Sequence, residues 1–363
     1  MRASFLTVAV SIVLPTALSA QTSPTSLADE RAAVIPAITA QSAGTPHNAN
    51  VSEAGASDRA SALRRVSRRR RGSMVGYIED GSLTTHLRLR ADAGFGNDTP
   101  DRAEFFYSKC GCYRDDPPPN FDADAPGPGP GVPTDMDFQQ VYLEGEFAFS
   151  DRLSLFGEVS ARGIQPQAFL PGYGEFPDQS GLGDSRVGAK LSLISSETRD
   201  LTLMLRVGLP TGDSRKGLGT NIVSVEPMLL FGDRPTDRLG FEAQLGAWYP
   251  TSGARGVPTE GSDEFSGNVL SYGLGFSYDV AASDRFRLSP VAEMVGWRVL
   301  DGFQTTCDEL TCSFDVDRNI VNLKLGARAT MANGSSVYLG YGFPLTTPHW
   351  YMHILRLEYR HTL

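Results

Sequence analysis

The sequence predicts an all-β fold, a transmembrane antiparallel up-and-down β-barrel of about twelve strands. Three observations carry this reading. Apolar residues recur at every second position in segments of about ten residues. The connections between segments alternate between short and long. Aromatic residues on the apolar parity gather at both ends of the segments.

The first segment sets Leu83, Leu87, Leu89 and Phe95 against His86, Arg88, Arg90 and Asp92. The second sets Val141, Leu143, Phe147 and Phe149 against Glu144 and Glu146. The third alternates Leu153, Leu155 and Val159 with Glu158 and Arg162, and the fourth Val187, Ala189 and Leu191 with Arg186 and Lys190. Leu201 to Leu209 form the fifth around Arg206, and Val223 to Phe231 the sixth around Glu226. The seventh runs from Leu239 to Tyr249 around Glu242 and Trp248, and the eighth from Leu270 to Tyr278. Phe286 to Met294 make the ninth, with Glu293 inside it and Trp297 just beyond. The tenth, Val321 to Ala329, holds Lys324 and Arg328. Val337 to Phe343 and Tyr351 to Tyr359 close the series, the last around Arg356 and Glu358. Pro227 and Pro290 weaken their own strands because proline removes a ladder donor.

The short connections are Ser150-Asp151-Arg152, Ser195 to Asp200, Gly232 to Arg238, Ala281 to Arg285 and Met331 to Ser335, where Asn333-Gly334 is a hairpin signal. Between them lie Gly96 to Asp135, Ile164 to Leu182, Pro210 to Thr220, Pro250 to Gly267, Leu300 to Arg318 and Pro344 to His349. Short periplasmic turns opposite long outer loops are the pattern of outer-membrane barrels. Phe95, Tyr249, Phe343 and Tyr351 fall at the outer strand ends. Phe149, Phe231, Phe241, Tyr278, Phe286 and Tyr359 fall at the periplasmic ends. All sit on the lipid-facing parity, as two aromatic girdles. A soluble sandwich also alternates, but gives no reason for loop lengths to alternate or for charge to keep to one parity.

The chain has 363 residues and a formal net charge of −9, which excludes nucleic acid as a general partner. It contains no run of about 20 apolar residues able to cross a bilayer as a helix. Residues 1–20 read as a signal peptide: Arg2, an apolar stretch from Phe5 to Leu14, then Ala17-Leu18-Ser19-Ala20, with cleavage after Ser19 or Ala20. Residues 21–72 read as a disordered periplasmic segment that carries the basic run Arg64 to Arg71, and 73–363 as the barrel. The expected location is the bacterial outer membrane. The expected partners are the lipid bilayer, a small-molecule solute and the barrel-assembly machinery. The terminal alternation ends in Leu363, apolar and of the right parity, where assembly signals commonly end in Phe.

The second parity faces inward. The candidate lining is His86, Arg88, Arg90, Glu144, Glu158, Arg162, Arg186, Lys190, Arg206, Glu226, Glu242, Glu293, Lys324, Arg328, Arg356 and Glu358, with Trp248 and Trp297 near the outer mouth. Its nearly balanced charge fits a hydrated pore with a transverse field, or a salt-bridge ladder that fills a narrow barrel. Apolar inward positions, among them Met204, Met228, Leu230, Val295, Met352 and Ile354, fit either a path for apolar solutes or plain packing. The expected role is a channel or transporter for small molecules. The alternative is a structural or adhesive barrel acting through its long loops.

No enzyme and no cofactor are implied. The sequence has no His-x-Ser spacing, the pairing of twelve-stranded outer-membrane phospholipases, and no Gly-x-Ser-x-Gly elbow. The acidic, proline-rich stretch from Asp115 to Asp137 reads as solvated chain rather than a Ca²⁺ site. The cysteines form two close pairs, Cys110/Cys112 and Cys307/Cys312, with no histidine beside either, so no metal site is read. Cys307 and Cys312, separated by four residues in one loop, are expected to bridge. For Cys110 and Cys112 a strained bridge, a crosslink between the loops and free thiols all stay open.

One region carries a resemblance. Gly181-Leu182-Gly183-Asp184, Gly188-Ala189-Lys190-Leu191, Leu209-Pro210-Thr211-Gly212-Asp213 and Leu218-Gly219-Thr220 together resemble the outer-membrane β-barrel transporter family labelled MetA-pathway of phenol degradation. The resemblance spans about residues 80 to 363. It implies an outer-membrane channel for aromatic or other apolar compounds, in which these residues punctuate strands and loops and are not catalytic.

Overall fold

In the computed structural model, residues 72–100, 106–115, 121–253, 265–304, 313–314, 319–347 and 349–363 are described. The signal-peptide reading, the Arg-rich run and the pair Cys307/Cys312 lie outside them. Twelve long strands follow one another around a closed wall. They are β1 (His86–Asn97), β2 (Pro133–Ser150), β3 (Leu153–Phe169), β4 (Ser185–Ser195), β5 (Arg199–Leu209) and β6 (Ser224–Asp233), then β7 (Leu239–Pro250), β8 (Val269–Tyr278), β9 (Phe286–Val299), β10 (Asn319–Met331), β11 (Ser335–Pro344) and β12 (His353–Thr362). Each pairs antiparallel with the next. β1 closes the wall on β12 in the register His86↔Thr362 through Phe95↔His353. No described helix is long and apolar enough to cross a membrane, and a closed barrel needs none, because every strand edge is paired.

Alternation decides which face each residue takes. Leu87, Leu89, Leu143, Leu155, Leu205, Leu245, Phe276, Leu339 and Leu357 stand exposed on the outside. His86, Arg88, Arg90, Glu144, Glu158, Lys190, Glu293, Arg328 and Glu358 are buried inside. A soluble protein has the opposite polarity. This apolar outer wall on a closed antiparallel barrel is the architecture of the bacterial outer membrane. The short turns share one rim with the start of β1 and the end of β12, so that rim is the periplasmic one.

Some limits move from those expected. β1 begins at His86, not Leu83, because the preceding residues turn into the lumen. β2 and β3 run for 18 and 17 residues, longer than the roughly 10 that a bilayer needs, so their open ends near Pro133 and Phe169 project past the outer rim. The ladder between β6 and β7 skips Glu226 and Pro227, where proline has no N–H to give. Pro290 lies one position past the last pair of the β8–β9 ladder, Val291↔Ser277, where no N–H is required of it.

Three of the four stretches that carry the resemblance, 181–184, 209–213 and 218–220, meet at one place. Between the short strand Gln179–Leu182 and β4, both of which pair with β3, the chain kinks at Gly183-Asp184. The Asp184 carboxylate accepts from the Gly212 N–H at 2.9 Å and from the Thr220 N–H and hydroxyl, each at 2.8 Å. Thr211 Oγ1 donates to the Gly183 carbonyl and accepts from the Ser185 N–H. A side chain at Gly212 would strike the Leu218 carbonyl, and one at Gly219 would strike Asp184 itself. The three motifs therefore form a single clasp over the outer ends of β3, β4 and β5. Asp184→Ala removes three hydrogen bonds to one carboxylate and is expected to cost about 2–3 kcal/mol. The readout is the temperature of the heat-induced mobility shift in semi-native gels, and an unchanged temperature would remove Asp184 from this role.

Candidate functional site: a chain segment held inside the barrel

Residues 72–82 rise from the periplasmic rim into the lumen, turn near Tyr77 and return to β1. The wall holds this hairpin by its backbone. One carboxylate, Glu293 on β9, accepts from three successive N–H groups: Gly76 at 2.9 Å, Tyr77 at 2.8 Å and Ile78 at 2.9 Å. Consecutive N–H groups converging on one anion form a concave anion nest. The same carboxylate accepts from the Tyr338 hydroxyl on β11 at 3.0 Å. Glu242 on β7 accepts from the Met74 N–H, and Gln244 from the Glu79 N–H. On the acceptor side, Arg328 donates to the carbonyls of Met74 and Val75, and Arg356 to that of Gly76.

Side chains of the hairpin complete the attachment. Glu79 pairs with Arg206 at 2.6 Å and Asp80 with Arg360 at 2.5 Å. Room for the hairpin comes from β8, whose inward face is Ser271, Gly273, Gly275 and Ser277. A Cβ at Gly273 would lie 2.5 Å from Ile78 Cγ2, and one at Gly275 2.5 Å from Val75 Cγ1. Val75 and Ile78 pack there with Val291, Val295 and Tyr338.

Most of the remaining inward charges pair with one another. Arg88 binds Glu144, and Arg90 binds Glu158 at 3.2 Å with its guanidinium 3.8 Å above the Tyr142 ring. Arg186 reaches Glu158 at 3.4 Å and Lys190 reaches Glu146 at 2.7 Å. Arg206 bridges Glu79 and Glu226, Arg356 takes Asp92, and Glu358 accepts from Arg328 and Arg360. His86, Glu144 and Glu146 bring three potential ligand atoms within 4.8 Å of one another. Arg88, Lys190 and Ser154 already bond those carboxylates, so the group is an ion-pair cluster.

Towards the outer mouth the lumen turns apolar. Phe106, Met136, Phe138, Ile164, Val299, Trp350, Tyr351 and Ile354 form one buried cluster, against which Tyr77, Trp248 and Trp297 pack. Its roof comes from the β1–β2 connection, where Lys109 is fully buried, bonded to Asp122 at 2.9 Å and set over the Tyr113 and Phe265 rings. Cys110 and Cys112 are bridged to each other. Gly111 between them fits because the Gly127 and Pro128 carbonyls leave no room for a side chain.

Two expectations are corrected. Tyr351 does not belong to the outer girdle: it precedes β12, turns inward and accepts a hydrogen bond from Lys324. Met352, read as inward, is exposed beside Gly96. Met204, Met228 and Leu230 are buried together inside with Phe156. Sequence reasoning missed the hairpin because residues 73–82 carry no strand alternation. Its trace in the sequence is the run of small inward residues on β8.

No family model matches the chain, and no curated protein sequence matches it. Among solved structures it is similar to an outer-membrane channel from Pseudomonas putida F1, with 14% identity over 77% of this chain and 96% of that one, at a TM-score of 0.46. It is similar to the β domain of a Bordetella autotransporter, with 12% identity over 77% and 100% at a TM-score of 0.45. LpxR from Salmonella typhimurium aligns with 10% identity over 77% and 100% at a TM-score of 0.41. The barrel and its membrane face rest on register and polarity, independent of these likenesses.

Peptide mapping without reduction is expected to recover one peptide that contains both Cys110 and Cys112 with an internal bridge. A crosslinked peptide joining either to Cys307 or Cys312 would contradict the pairing.

Proposed function

We propose that the chain is an outer-membrane channel for small solutes, aromatic or apolar in class, closed at rest by its own 72–82 hairpin. One observation carries the reading. Glu242, Gln244 and Glu293 bond the backbone of an inserted segment instead of only neighbouring wall side chains. A wall shaped around a non-covalently held hairpin becomes a hydrated passage when the hairpin leaves. The motif resemblance to a transporter family for aromatic compounds supports the solute class, and the reading is non-enzymatic.

Planar-bilayer recording tests it. Wild-type protein is expected to give small or infrequent conductance steps. Gly275→Val, which crowds Val75, and deletion of residues 74–80 are each expected to raise conductance by about an order of magnitude, since about 1.4 kcal/mol against the closed state shifts its population tenfold. If both variants fold yet give neither conductance nor solute uptake in liposome swelling, the channel reading fails.

A second reading is favoured by the roof at the outer mouth, with its Cys110–Cys112 bridge and buried Lys109. In it the barrel is a structural or adhesive support and the loops act on a surface partner. Deleting residues 98–131 should then abolish surface binding and leave conductance unchanged. The channel reading expects that deletion to raise conductance.

A further inference from the structure

On the inward face of β10, Ile320, Asn322 and Lys324 follow one another at alternate positions, all buried. Ile320 joins the apolar cluster, but its two neighbours are polar. Asn322 is fully buried, and neither its side-chain nitrogen nor its oxygen has a hydrogen-bond partner. The Lys324 ammonium donates one hydrogen bond, to the Tyr351 hydroxyl, and lies 4.5 Å from the ring centres of Tyr77 and of Tyr351. No described carboxylate forms an ion pair with it. Glu293 is its register partner on β9, but that carboxylate is taken by the hairpin N–H groups and Tyr338.

A buried ammonium without a counter-ion is costly, and an amide with both ends unbonded adds to the cost. Elsewhere in this lumen the structural solution is a carboxylate, as Arg88, Arg328 and Arg356 each have one. Across the same cluster Arg162 also lacks one: it bonds the Gln140 side chain at 3.2 Å and sits 4.7 Å over Phe106, with one guanidinium nitrogen unbonded. Both uncompensated charges bordering the cluster are thus positive. Between them runs a line of rings, Phe106 to Phe138 at 5.2 Å and Phe138 to Tyr351 at 6.5 Å. Tyr77 at the tip of the hairpin fills the place next to Lys324, and cation–π contact to its ring offsets part of the missing counter-charge. Gly342 opposite leaves the lysine stem room that any side chain would take.

We propose that Lys324 and Asn322 anchor the anionic head of a small amphipathic monocarboxylate, whose apolar ring takes the place of Tyr77 in the aromatic cluster. This deepens the channel reading and rests on it for the solute's route. Binding and hairpin withdrawal are then linked, because solute and Tyr77 compete for one place.

The test uses the full chain in detergent micelles, with benzoate and its neutral counterpart benzamide as probes and calorimetry as readout. Benzoate is expected to bind about tenfold more tightly than benzamide, the scale of one charge-assisted hydrogen bond. Lys324→Met should bring benzoate to the benzamide level and leave benzamide unchanged. Tyr77→Ala should tighten benzoate. Equal binding of the two probes by wild-type protein, which needs no variant to fold, overturns the proposal, as does unchanged benzoate affinity in folded Lys324→Met. Conductance is recorded separately. Conductance without benzoate preference sinks this inference and spares the channel, whereas benzoate preference without conductance in any variant does the reverse.

Discussion

A barrel of this strand number is wider than one layer of inward side chains can fill. Eight strands close on their own side chains, whereas sixteen leave a water-filled channel. The intermediate width is the constraint on which the other features depend. Here an inserted hairpin occupies the inner half of the lumen, and a roof with an aromatic cluster occupies the outer half. The wall is adapted to both, with glycine and serine on β8 where the hairpin passes and aromatic residues where the roof descends. Its charges follow the same division. Carboxylates face the hairpin N–H groups, guanidinium groups face its carbonyls, and the rest pair across neighbouring strands.

Each of these buried polar contacts restores solvation that the lumen withdraws. An ion pair inside a protein brings little net stability over a well-packed apolar pair. What it brings to this lumen is specificity of place. Glu293 can be satisfied by three N–H groups only if the hairpin adopts one curvature at one height, and Arg356 adds the Gly76 carbonyl while holding Asp92. The hairpin is thereby held in one position by groups from β1, β5, β7, β9, β10, β11 and β12, and its covalent link to the wall is its own continuation into β1 at His86.

The fold was legible in the sequence because a barrel in lipid separates its two parities completely. Leu87 and Arg88, or Leu357 and Glu358, are adjacent in the chain and lie on opposite sides of the wall. Strand limits were less legible where the period is interrupted, as at Leu83 to Thr85 and at Tyr351. Tyr351 shares the lipid-facing parity of Leu355 and Leu357, but parity assigns a face only within a strand, and β12 starts two residues later. The hairpin was illegible for the complementary reason: its backbone is satisfied by distant side chains, so no local period marks it. The Asn322 and Lys324 environment was hidden because one charged inward residue looks like another until its partners are known.

The hairpin precedes β1, yet its bonds reach strands near the other end of the chain. The Gly76 carbonyl and Arg356 are 280 residues apart, as are Asp80 and Arg360. Contacts of such separation form late, since loop closure comes before they can contribute. The groups that fix Gly76 and Asp80 sit on β9 and β12, towards the other end of the chain. The hairpin therefore reaches its seat only as β12 meets β1. The β12–β1 contact that closes the wall thus also brings in the arginines that complete the hairpin's seat, so passage and seam share one set of groups.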